Sequence, residues 1–283
     1  MASIEPAETS DAAGIAAVPP ERRYLRFPWR RVRPIAALTI LLISWEVGCR
    51  LGQVPGWLLP TPSDIARAAY DVPLATWLDN LLATTRVVLI GFAVAFLVSI
   101  PLAVALARWE AVRDSLYPIL VVIQSTPVVA VAPILVVTLG ADDPPRVVIT
   151  AMISFFPLVV GISTGLTQTP PELIELSRAL GAPVRNEYLH IRLPAALPYV
   201  FSAVRVAITL AVIGAVVGEF VAAEKGIGYF LRASTAYFKI AQAFASLLIL
   251  IALSLVLFHS VSVIQWLFFP RSLAPRSHSS ANH

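Results

Sequence analysis

The chain has 283 residues, of which 58% are hydrophobic and 13% charged, with a formal net charge of +4. A soluble domain carries about 25% charged residues, so an ordinary water-soluble enzyme, a basic nucleic-acid-binding domain and a disordered chain are excluded. A mean hydropathy of +0.79 leaves an all-α integral membrane protein, since the apolar runs are not the alternating ~10-residue segments of a barrel.

Residues 1–33 read as a cytoplasmic tail. Its first 21 residues are rich in Ala, Pro, Glu and Ser and are expected to be disordered. They contain no Lys or Arg, so the basic start of a secretory signal is missing. Its end is basic, with Arg22, Arg23, Arg26, Arg30, Arg31 and Arg33. Residues 34–80 hold a first span, 34–51, and an external segment. Glu46 and Arg50 stand one turn apart in that span and can pair. Cys49 is the one cysteine, which excludes an internal disulfide and a cysteine-rich metal site. Leu59-Pro60-Thr61-Pro62-Ser63-Asp64 reads as a turn followed by a helix cap.

A membrane-crossing helix needs about 20 apolar residues. Residues 81–270 supply five more spans, at 87–107, 115–141, 147–171, 194–223 and 240–270, for six in all. Residues 194–223 are interrupted by Arg205 and Glu219. Those two stand fourteen residues apart, about 21 Å along a helix, and cannot pair within it. Pro127 and Pro133 in the third span and Pro157 in the fourth are expected to kink their helices. Ionisable or polar groups at bilayer depth normally face protein or water. Arg86, Gln124, Thr126, Arg205 and Glu219, with Pro127 at the kink beside Gln124 and Thr126, are therefore the candidate lining of a path. A cytoplasmic N-terminus places 13 of the 21 Lys and Arg inside and 6 outside, so both ends, including the tail 271–283, are expected in the cytoplasm.

The longest cytoplasmic connection is 170–194. Pro170 and Pro171 followed by Glu172 and Glu175 read as a helix start. A short helix over 172–180 would present Leu173, Leu176 and Leu180 on one face, pair Glu175 with Arg178 on a flank, and stop at Gly181. A second short helix over 184–191 would precede Leu193-Pro194, which ends the loop.

Glu175-Leu176-Ser177, then Gly181, then, after nine intervening residues, Ile191-Arg192-Leu193-Pro194, resembles the EAA loop of ABC importer permeases, with Leu-Ser in place of the Ala-Ala of that pattern. Leu59-Pro60-Thr61-Pro62-Ser63, Thr85-Arg86 with Gly91-Phe92, Thr126 to Pro133, and Gly218-Glu219 through Gly226-Ile227-Gly228-Tyr229 look like segments of the nitrate/sulfonate/taurine branch. Gly140-Ala141-Asp142-Asp143 departs from the glycine-rich turn of many relatives. The resemblance implies a type I ABC importer permease fold in a bacterial inner membrane. It also implies a homodimer with a second copy, two cytoplasmic ATPase subunits that carry ATP and Mg, and a periplasmic or lipid-tethered solute-binding protein. The chain itself would bind no cofactor or metal, would not be an enzyme and would have no nucleic-acid partner. In keeping with this, it has no Gly-x-x-x-x-Gly-Lys-Ser/Thr loop for phosphate. The loop from Glu172 to Pro194 would contact the ATPase. The solute would be a small organic anion such as a sulfonate, taurine or nitrate; a thiamine pyrimidine precursor or other aromatic solute is the alternative. An ion-coupled transporter would call for paired mid-membrane acids in repeated halves. An intramembrane enzyme would call for a Ser/Lys, paired-Asp or His-Glu-x-x-His set. The spans offer none of these.

Overall fold

The computed structural model describes residues 29–269. The expected tail 271–283 and residues 1–28 of the expected tail 1–33 lie outside them. The chain divides into two units, Met1–Ser44 and Trp45–His283. The first contributes the opening turns of α1 (Trp29–Leu51). That helix begins five residues before Pro34, which sits inside it; membrane helices tolerate such a proline.

The second unit continues with α2 (Pro62–Asp71), α3 (Leu74–Arg108), α4 (Glu110–Ser125), α5 (Val128–Leu139), α6 (Asp143–Thr167), α7 (Pro171–Ala179), α8 (Val184–Asn186), a π-helical stretch Glu187–Arg192, α9 (Leu193–Ala222), α10 (Ile227–Ala236) and α11 (Ile240–Phe268). No strand occurs among the described residues. The α2 cap forms as its residue types require: Thr61 is extended and its hydroxyl accepts the Asp64 N–H at 3.2 Å. Glu46 and Arg50 pair at 2.6 Å, and Glu46 also holds the Ser63 N–H at 3.0 Å.

Five helices are long and apolar enough to cross a membrane, and α4 with α5, bent by 87°, has the composition of a sixth span or of a re-entrant loop. The helix expected as the third span is therefore broken at Thr126-Pro127 rather than kinked. Thr126 is driven to extended dihedrals (φ −72°, ψ 126°) by the proline that follows. The helices run on through Pro133 and Pro157. The second span also starts earlier than its apolar run: α3 has 35 residues, about 52 Å, and its first turns project beyond a ~30 Å core.

The core lies where α6 runs against α9, with α3 across both. Small residues make this approach possible. A Cβ on Gly214 or Gly218 of α9 would strike Thr150 or Arg146 of α6, and one on Gly161 or Gly165 of α6 would strike Ala203 or Tyr199 and Ala196 of α9. Each pair is four residues apart, so one face of each helix is flattened along two turns. Val88, Ala211, Ala215 and Ile227 fill the half nearer α10, and Ala95, Leu158, Ile162 and Ala207 the half nearer α7.

Candidate functional site: the α7 loop and the polar groups of the spans

The loop folds from its own signals. Pro171 opens α7 with Glu172 in its first turn. Gly181 closes it at φ +67°, where its N–H reaches the Arg178 carbonyl at 3.0 Å and the Ala182 N–H reaches Ser177 at 3.1 Å. Nothing lies within 4 Å of a Cβ built on Gly181, so the glycine is there for its dihedral and not for space.

The expected Glu175–Arg178 pair does not form. Arg178 turns to Glu187 at 3.3 Å, where Arg192 also binds at 2.7 Å. Arg192 further donates to the Leu166 carbonyl at the end of α6, 3.2 Å, and its guanidinium lies 5.0 Å from the Tyr188 ring centre. Glu187 is 4% exposed and ties the loop to the helix pair below it. The second short helix differs too. Val184 to Ala222 is helical for 39 residues, about 58 Å, so the expected short helix runs on without a gap into α9, which Leu193-Pro194 opens where the loop was expected to end. The π-helical register sets residues five apart on one face, which is what brings Arg192 to Glu187. A search for i,i+3 and i,i+4 pairs misses it. Burial pushes the Glu187 carboxyl up, but Arg192 and then Arg178 outweigh it and hold the group below its ordinary value.

Above this anchor lies an apolar groove of about 430 Å³ whose lining includes Leu173, Leu176, Ser177, Leu180 and Ile191. The leucines are exposed, Leu180 by 76%. Glu172, Glu175, Leu193 and Pro194 are exposed but do not line it, and Ser177 is buried.

The six span candidates do not form one site. Arg86 on α3 lies 3.5 Å from Asp143, which Arg146 binds at 3.0 Å. These groups line a cavity of about 470 Å³ with Lys225 and Arg232. Gln124, Thr126 and Pro127 are exposed at the α4–α5 break. Arg205 is half-buried, its guanidinium 5.9 Å from the Phe258 ring centre.

Glu219 is fully enclosed. It belongs to a lock at the start of α10 that sequence reasoning missed. The N–H groups of Gly226, Ile227 and Gly228 donate to Asn80 Oδ1 (2.9 Å), Thr84 Oγ1 (2.8 Å) and Glu219 Oε2 (2.7 Å). First-turn N–H groups have no partner within their own helix; here α3 and α9 supply them. A Cβ on Gly226, at φ +128°, or on Gly228 would collide with the Glu219 carboxyl. The signal in the sequence was the Gly226-x-Gly228 pair seven to nine residues after a lone acid. No cluster of three or more His, Cys, Asp or Glu suited to a metal occurs among the described residues.

Residues 95–273 match the family described as binding-protein-dependent transport system inner membrane component. The formylaminopyrimidine transport permease protein ThiX of Halalkalibacterium halodurans is 32% identical, over 86% of this chain and 96% of that protein. The nitrate import permease protein NrtB of Synechocystis sp. is 28% identical, over 71% and 75%. The inward-facing MetNI methionine ABC transporter superposes with a TM-score of 0.56 at 20% identity, over 64% of this chain and 90% of the chain it matches. The fold is thus that of type I ABC importer permeases.

Proposed function

The chain belongs to the family of binding-protein-dependent transport inner-membrane components, and from that premise we propose that it is the translocation subunit of an ATP-driven importer for a small heterocyclic solute of the aminopyrimidine kind. Its class is that of a multi-pass ABC transporter permease. What supports a heterocyclic solute is that permeases named for formylaminopyrimidine and for riboflavin are each 32% identical along nearly the whole chain, against 28% for a nitrate permease; the aminopyrimidine is our choice between the first two.

The small organic anion, a sulfonate, taurine or nitrate, is the second reading. The nitrate relative supports it. Its other support, Arg86 and Arg205, is weaker in three dimensions, because one guanidinium faces Asp143 and the other an aromatic ring.

The remaining parts follow from the same premise. The groove at Leu173, Leu176 and Leu180 is an apolar face without a cover in this chain, and helix-in-groove docking suits it; its occupant is the ATPase subunit, which binds ATP and Mg. A second copy completes the path. Irregular backbone at membrane depth needs protein or water around it, so the break at Thr126-Pro127 faces that path. The basic-residue split supports a cytoplasmic side for both termini and the α7 loop.

Solute binding to the partner binding protein, with uptake in cells that do or do not carry the permease, tests the assignment. Permease-dependent uptake of a formylaminopyrimidine is expected. Uptake of taurine or nitrate without the pyrimidine would establish the second reading. Uptake of neither would reject both.

A further inference from the structure

A groove of about 400 Å³ at the start of α11 takes no part in the transport reading. Trp57 and Pro60 line it from the α1–α2 connection, Asp64 from α2, and Phe238, Lys239 and Ile240 from the entry to α11. Its aromatic walls face outward: Trp57 is 64% and Phe238 77% exposed. Phe238 has φ +57°, a region that disfavours bulky side chains, and that conformation holds its ring out of the fold. Large rings gain little from water, while amphipathic aromatics concentrate where a bilayer meets water. The groove reaches the first turn of α11, an apolar helix long enough to cross a membrane whose Leu247, Leu248, Ile251 and Leu255 are exposed further along.

The charges narrow the occupant. Lys239 and Asp64 share the groove, and neither has an ion pair among the described residues. The Asp64 carboxylate accepts the Thr61 hydroxyl at 2.8 Å, which fixes it and leaves lone pairs free. One cation beside one carboxylate complements a headgroup with both a phosphate and an ammonium. A quaternary ammonium has no N–H to give Asp64; a primary ammonium has three.

We propose that this groove binds one phospholipid with a primary-amine headgroup, of the phosphatidylethanolamine class. The phosphate lies toward Lys239, the ammonium toward Asp64, and an acyl chain along Trp57, Phe238 and α11. The site is independent of the transported solute.

The test uses the full chain in its assembled importer, reconstituted in vesicles of equal phosphatidylethanolamine and phosphatidylcholine and then examined by native mass spectrometry for retained lipid. Retention of the ethanolamine lipid over the choline lipid is expected, falling about tenfold in Lys239→Gln and in Asp64→Asn, as the loss of one charge-assisted contact implies. A photoreactive phenylalanine in place of Trp57 is expected to give a lipid adduct in intact membranes. Equal retention of both lipids, retention unchanged in both variants, or a protein adduct at position 57 would overturn the proposal.

Discussion

At the α10 end of α9, three consecutive backbone N–H groups are closed by Asn80, Thr84 and Glu219, and neither flanking glycine has room for a Cβ. At the α7 end, Glu187 and Arg192 hold the loop from below while Leu173, Leu176 and Leu180 face outward and Gly181 stands in open space. Both ends contain an acid and a glycine at positive φ, yet only the first closes its backbone N–H groups and packs its glycines entirely within the chain. Residues at the α10 end should therefore act on folding. Those at the α7 end divide into an anchor that acts on folding and a face that acts on a partner.

The largest effect on stability is expected at Gly226. Gly226→Val places a side chain against the Glu219 carboxyl at φ +128°, and no monodisperse permease should be recovered in detergent. Glu219→Leu, which leaves the Gly228 N–H unmet, should lower stability by about 1–3 kcal/mol; Glu219→Gln, which keeps an acceptor, should cost less. Thermal unfolding followed by size-exclusion chromatography measures all three. Wild-type recovery of Gly226→Val would remove the contrast between the ends.

Next comes the anchor. Glu187→Ala leaves the nearly buried Arg192 without its carboxylate and should cost up to about 3 kcal/mol, seen as faster proteolysis within residues 170–194. The folded carboxyl is held below 4.5, its ordinary value. Its contribution is then full above 4.5 and is lost as the pH falls through the lowered folded value. Cleavage that accelerates on raising the pH from neutrality would contradict this anchor.

Gly181→Ala should cost only about 1 kcal/mol, since the penalty is that of the left-handed dihedral alone. Gly181→Asn should recover part of it. A much larger loss on either change would mean that the glycine is packed against something in the assembly.

The smallest effect on stability, and the sharpest on function, is expected for Leu176→Gln on the exposed face. The change should stay within about 0.5 kcal/mol, while ATPase co-purification and solute-stimulated ATP hydrolysis fall together. Full ATPase retention in Leu176→Gln would show that the groove is not the docking surface.

Much of this protein is written locally in its sequence. Runs of about 20 apolar residues mark the spans, and a proline pair before Glu172 with a glycine at 181 defines α7. Thr61 before Pro62 sets the α2 cap. These features depend on residues within a turn or two of each other, so composition and spacing determine them. Tertiary structure decided the rest. Whether Pro127 kinks or breaks its span depends on what α5 packs against, and it breaks by 87°. Arg178 chose Glu187 over Glu175 because the π-helical register and the end of α6 gathered both arginines around one buried carboxylate. Glu219, which reads along the chain as an isolated acid in a span, became the cap of α10 once α3 and α9 met there. A polar side chain in an apolar helix takes the partner that packing brings to it, and that partner can stand 146 residues away, as Asn80 and Gly226 do.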